Sequence, residues 1–225
     1  MGAIKRAFAN NITTGGNLDS LDATKLTDTL ADARFPATLP AISGANLTGI
    51  GSGLNFITSA TPSGSSSILE MQSCFSATYQ NYIVIMTGMD INTNNSDMGF
   101  RMMSGSSEHT GTDYYWSIGT SNRHGTGVNE SGGASNNGRL LSNTSNDQDT
   151  INLWNLVTNP QVTSVKTCWA SMGGDRYEGS AGAHSQYGYT WVNSGSSFDG
   201  FSFRSVSGHN FRGTGKIMVF GLSDS

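Results

Sequence analysis

NLDSLDATKLTDTLADARFPATLPAISGANLTGI, residues 17–50, decides how this chain is organised. Apolar residues are metered out singly along it: Leu18, Leu21, Leu26, Leu30, Phe35, Leu39, Ile42, Leu47 and Ile50. Asn, Asp, Thr, Gly and Ala fill the intervals. The spacing from Leu18 to Leu30 is neither a clean heptad nor a strand alternation. Farther on, Pro36 and Pro40 remove backbone donors and exclude a helix interior. The segment contains no second layer against which these side chains can be buried, so one copy alone leaves them in water. Neighbouring copies of the same chain supply that layer, which predicts an assembled stalk over residues 17–50. A solvated linker is the alternative that the polarity permits. The short, fairly regular intervals between apolar residues favour the stalk.

On the N-terminal side, residues 1–16 read as a short docking arm. Ile4 and Phe8 are its sizeable apolar groups beyond Met1, with Lys5 and Arg6 between them, before Thr13-Thr14-Gly15-Gly16 ends the pattern. An arm of this length cannot form a core of its own, so a partner surface is expected to receive Ile4, Lys5, Arg6 and Phe8. No apolar h-region follows the two cations, and no run approaches the roughly 18–20 apolar residues that span a bilayer. The expectation is a chain made in a cytoplasm, neither exported by a signal peptide nor inserted in a membrane.

On the C-terminal side, residues 51–67 carry Gly51-Ser52-Gly53 and then TSATPSGSSS (residues 58–67), which read as a flexible hinge. Residues 68–225 read as a head of many short strands. Tyr82-Ile83-Val84-Ile85-Met86 is a core-strand pattern. Residues 98–102, 114–118, 151–157, 162–169, 187–191, 198–206 and 216–222 follow as further strands. Asn92 to Ser96, Gly132-Gly133 and Gly173-Gly174 read as the turns between them. The expected fold is mainly β: an arm, an extended stalk and a C-terminal antiparallel β-sandwich, jelly-roll-like.

Composition agrees with that class. Of 225 residues only 12% are charged, against about 25% in typical soluble domains, and 29 are Gly, which suits strands and turns over helical bundles. A net charge of −4 leaves no basic surface for phosphates, so nucleic acid is not an expected partner. Cys74 and Cys168 are too few and too far apart for a disulfide framework or a zinc site, and each sits beside an aromatic residue as a buried free thiol would.

The close carboxylate pairs, Asp147/Asp149, Asp175/Glu178 and Glu108/Asp113, sit in loop-like text. A glycosidase needs two carboxyls held at fixed separation across a cleft, one with a raised pKa. Loop acids close in sequence are more often solvated turn residues or, at best, Ca²⁺ ligands. His109, His124, His184 and His209 are scattered, and no nucleophile motif stands out. No catalytic residue, metal site or cofactor is therefore expected. Aromatic side chains are better candidates, because sugars are held by stacking on Trp and Tyr with polar groups at the ring edges. Adjacent residues of a strand face opposite ways, so within Tyr114-Tyr115-Trp116 either Tyr115 or its two neighbours turn away from the core. Tyr177, in GGDRYEGSAG, has little local reason to be buried. Tyr115, Arg176, Tyr177 and His184 are the candidate recognition residues. Trp169 and the Tyr187/Tyr189/Trp191 face are expected in the core or at an interface between copies.

AISGANLTGI (residues 41–50), with the LDATKLTDTLADARFPATLP before it, resembles the repeated stalk text of phage tail fibres of the marine and cyanobacterial podophage type. FRGTGKIMVFGLSDS (residues 211–225) and YQNYIVIM (residues 79–86) are similar to the last and an early strand of the β-sandwich heads of phage fibres. The resemblance covers about half the chain and is structural, carrying no chemistry. It implies a homotrimer assembled in the host cytoplasm and carried on the virion. The N-terminal arm would dock on a tail or capsid protein, and the head would meet a host cell-surface glycan or protein. The stalk here is short for that family, which leaves open a capsid-decorating or purely structural fibre. A polysaccharide depolymerase is the less favoured alternative.

Overall fold

The computed structural model describes residues 53–93, 96–122, 129–144, 151–176 and 183–223, with the side chains of 122, 129–130, 142–144, 175–176 and 183–184 left aside. The chain divides into two units, Met1–Ile50 and Gly51–Ser225, and the described residues belong to the second. The arm and the stalk therefore lie outside the described residues, as do Ile4, Lys5, Arg6 and Phe8.

The described residues are mainly β and form antiparallel sheets. An eight-stranded sheet runs in the order β1 (Leu54–Ala60), β13 (Lys216–Leu222), β3 (Asn81–Met89), β9 (Ile151–Thr158), β10 (Thr167–Arg176), β11 (Ala183–Val192), β6 (Tyr114–Asn122) and β7 (Asn129–Ser135). A smaller sheet has the order β2 (Ile68–Met71), β12 (Gly200–Ser205), β4 (Ser96–Ser104) and β5 (Ser107–Glu108), with β8 (Gly138–Thr144) also paired to β4.

Side-chain alternation explains how the two sheets meet. On β3, Tyr82, Val84 and Met86 are fully buried; on β9, Ile151, Leu153 and Val157 are. They close on Met98, Phe100 and Met102 of β4 and on Phe201 and Phe203 of β12. Trp169 of β10 is the centre of the contact. Its ring stacks on Phe100 at 4.2 Å and meets Phe201 edge-on at 5.0 Å. Its Nε1–H donates to Asn155 Oδ1 at 2.9 Å, while Asn155 Nδ2 donates to the Val84 carbonyl at 2.9 Å. A buried indole N–H without such a partner costs about 1–3 kcal/mol, so the polar Asn155 belongs in this core. Tyr82 and Tyr114 are satisfied in the same way: each hydroxyl donates to a carbonyl, of Ser76 and His109, and accepts an amide, of Ser76 and Met102. Burial pushes the Tyr114 phenol well above its ordinary range.

Three readings of the sequence need correction. Residues 54–60, inside the expected hinge, form edge strand β1, paired antiparallel with β13 from Leu54↔Leu222 to Ala60↔Ile217, with a shift of register between Phe56 and Thr58. Gly132-Gly133 and Gly173-Gly174 are not turns but lie within β7 and β10. At Gly173 the reason is close approach, since a Cβ there would collide with the Asn152 carbonyl of the neighbouring strand. Positive φ is used instead at Gly88, where β3 shifts register against β9, and at Gly215, where a Cβ would come within 2.5 Å of the Gly88 carbonyl. Finally, β10 begins at Thr167, so residues 162–166 are loop.

The outer side of the smaller sheet is closed by charge. β12 is buried along its whole length: Phe201 and Phe203 enter the core, and Ser202 and Arg204 face the other way. Hairpin strand β5 lays Glu108 over them. Its Oε1 accepts from Ser202 Oγ at 2.6 Å and Arg204 Nη2 at 2.6 Å, and its Oε2 from Arg101 Nη1 at 2.9 Å.

Candidate binding face

The informative surface is the outer face of the eight-stranded sheet. Every strand that buries one parity of residues presents the other outward. Ordinarily that outward set is polar; here it is not. Residues paired across the sheet form a row running Phe56, Phe220, Ile83, Leu156, Ala170, Tyr189 and Ser117. Beside it, Met218, Ile85, Trp154, Met172 and Tyr187 form a second. Trp154 is 58% exposed, Met172 67% and Tyr187 52%, so these are open side chains and not core at its margin. A depression of about 330 Å³ lies among Ile83, Trp154, Leu156, Ala170 and Met172.

Toward β6 the face turns aromatic. Trp191 and Tyr115 are register partners, with ring centroids 5.1 Å apart at 34°, and both are exposed. With Tyr189, Ser117 and Gly133 they surround a shallow depression of about 400 Å³. Tyr189 is held in its protonated form, its pKa pushed up to about 12, foremost by a side-chain hydrogen bond with Cys168 and then by burial. The Tyr187 ring packs over Gly119 of β6, in the space that a Cβ on that residue would fill.

The candidate recognition residues do not form one site. Tyr115 is indeed the member of its triplet that turns outward, since Tyr114 is fully buried and Trp116 half-buried. His184 lies seven positions from Trp191 along β11, opposite Asp175, which places it roughly 24 Å from Tyr115's partner. Arg176 ends β10 opposite Ala183, beside His184 and equally far from Tyr115. Tyr177 lies outside the described residues, as do Asp147, Asp149, Glu178 and His124. The sequence reading gave no binding role to Trp154, Leu156, Met172, Phe56 or Phe220. For Trp154, Leu156 and Phe220 the signal was present in INLWNLVT and KIMVFGL, where both parities are apolar, whereas a strand with one wet face alternates.

Glu108 and Asp113 are each engaged with other side chains. Glu108 is committed to Arg101 and Arg204, and both carboxylate oxygens of Asp113 lie 2.9 Å from His109 Nε2. Burial alone would raise the Glu108 pKa, but the hydrogen bonds from Ser202 and Arg101 and the two guanidinium charges outweigh it and hold the carboxyl below its ordinary value. A general acid needs the opposite shift. Among the described residues no group of three or more His, Cys, Asp or Glu side chains is placed to hold a metal ion. Nor, among them, is any helix long and apolar enough to cross a membrane. Cys74 is buried, its thiol pushed up to about 12 chiefly by desolvation, whereas Cys168 is only half-buried, because it belongs to the outward parity of β10.

Compared with known proteins, the chain matches no family model, no curated protein and no solved structure.

Proposed function

We propose that this chain is a non-enzymatic phage virion fibre protein whose head binds a host cell-surface glycan. In this reading it is a homotrimer with an extended stalk over residues 17–50 and a jelly-roll-like head. It docks on a tail or capsid protein through Ile4, Lys5, Arg6 and Phe8. One observation carries the binding assignment: the exposed Tyr115–Trp191 pair beside Tyr189, at an open depression edged by Ser117. Exposed, tilted rings with hydroxyls at their margin suit the apolar face and polar rim of a sugar. Rings fixed on paired strands cost little ordering entropy on binding.

The test is titration of host-cell polysaccharide followed by tryptophan fluorescence and by retention of the protein on host cells. Trp191→Ala and Tyr115→Ala should each weaken retention about tenfold, equivalent to about 1.4 kcal/mol. Unchanged retention in both variants removes the glycan assignment. A release of reducing ends from the polysaccharide would replace the binder by a depolymerase. Deleting residues 2–12 should abolish incorporation into particles while leaving the chain folded; normal incorporation would move the docking site elsewhere. A purely structural fibre is the second reading, favoured by the wide apolar area adjoining the aromatic corner.

A further inference from the structure

We propose that the middle of the outer face, over β1, β13, β3, β9 and β10, is covered in the assembled protein by a second copy of this chain. The proposal shares with the fibre reading only the requirement for more than one copy. It adds the surface through which the copies meet, and it stands whether or not the aromatic corner takes a sugar.

Area is the first argument. Leu54, Phe56, Trp154, Leu156 and Met172 are 42–67% exposed. At about 150–250 Å² per large side chain they leave roughly 400–700 Å² of apolar surface open. Half-buried Ile83, Ile85, Met218 and Phe220 lie between them and extend it. The largest patch on an ordinary monomer is about 300–600 Å², whereas each partner of a stable complex buries about 800 Å². Counted with its half-buried members, this face exceeds most of the first range and approaches the second.

Chemistry is the second argument. The patch consists of rings, branched alkyl groups and a thioether, the make-up of an interface core: aromatic and Met-rich and depleted in charge. Among the described side chains on these five strands the charged one facing outward is Lys216, at the strand end beyond Met218. Copies of one chain bring identical charges together wherever charged surface meets itself, at a cost of several kcal/mol per like pair. A charge-free face avoids that penalty. A saccharide is a poorer occupant here, because the patch offers almost no donors or acceptors for ring hydroxyls.

Oxidation of Met172 by dilute hydrogen peroxide, read by peptide mass spectrometry on the purified full-length chain, tests this without host or virion. A lone head leaves Met172 open, so it would oxidise nearly as fast as in urea-unfolded chain. Covered by a second copy, it should oxidise at least about tenfold more slowly, because oxidation follows exposure. Trp154→Glu should restore the fast rate while Met98 and Met102, in the core, stay protected and report that the head is folded. Fast oxidation of Met172 in the unsubstituted chain overturns the proposal. So does protection that survives Trp154→Glu, which would mean that the chain covers its own face or that nothing apolar closes on Trp154. Neither result bears on whether Tyr115 and Trp191 hold a glycan.

Discussion

Replacing Glu108 by Ala should destabilise the head by about 3 kcal/mol at pH 7, far more than removal of an ordinary surface acid. The carboxylate receives three hydrogen bonds, from Ser202, Arg204 and Arg101, at 2.6–2.9 Å. The three charged side chains are only 11–18% exposed. An exposed ion pair is worth about 0–1 kcal/mol, whereas breaking a buried one costs about 3–5 kcal/mol because a charge is left uncompensated. In this cluster the substitution strands two guanidiniums, and Arg204 Nε is already buried with no hydrogen-bond partner. The residual exposure sets the loss at the lower end of that range. For a unit of this size about 3 kcal/mol corresponds to a fall of roughly 6–12 °C in Tm.

The assay is urea unfolding of the parent and Glu108→Ala chains between pH 3 and 8. The carboxyl is held below its ordinary value of 4.5 in the folded state. Its ionised form therefore contributes stability above that value, and the contribution is lost as pH falls through the depressed folded pKa. The gap between the two chains should be constant from pH 6 to 8, narrow below about 4.5 and be smallest at the acid end of the series. Glu108→Gln should recover part of the loss, because an amide oxygen still accepts one of the three donors. A loss at pH 7 no larger than about 0.5 kcal/mol would show that the cluster is solvated, and the burial argument for it would fail.

Asn155→Ala should cost about 1–3 kcal/mol in the same unfolding assay, since it leaves the Trp169 indole N–H and a lone pair of the Val84 carbonyl without their partner inside the core. Cys74, buried and with its thiol raised to about 12, should resist a thiol-specific reagent at neutral pH until the chain unfolds, and rapid labelling of native protein would refute its placement.

Local pattern carried much of the head and little of its long-range chemistry. Tyr82 to Met86, Tyr114 to Ile118, Ile151 to Val157 and Lys216 to Leu222 all fall within strands, because a β-rich run records its conformation in consecutive residues. Gly132-Gly133 and Gly173-Gly174 misled for a physical reason. A glycine permits a turn, but it also permits two backbones to approach, and only the neighbouring strand decides which use is made of it. The Glu108 cluster was out of reach for a related reason. Its members lie on β5, β4 and β12, and the ion pair from Glu108 to Arg204 spans 96 positions.

The outer face lies between these cases. In INLWNLVT the inner set, Ile151, Leu153 and Val157, and the outer pair, Trp154 and Leu156, are both apolar, as are both parities of NYIVIM and KIMVFGL. Such text states that two sides of a strand are to be kept from water, but not what does it on each side. The smaller sheet covers the inner side, with Trp169 against Phe100 and Phe201. On the outer side this chain supplies no second layer among the described residues, yet the residues chosen there are Trp, Met, Leu and Ile. Polar residues at those positions would have made an equally good strand face for a head that works alone. That apolar choice is what the proposed second copy would explain, and it is written across three adjacent strands of the head, β13, β3 and β9.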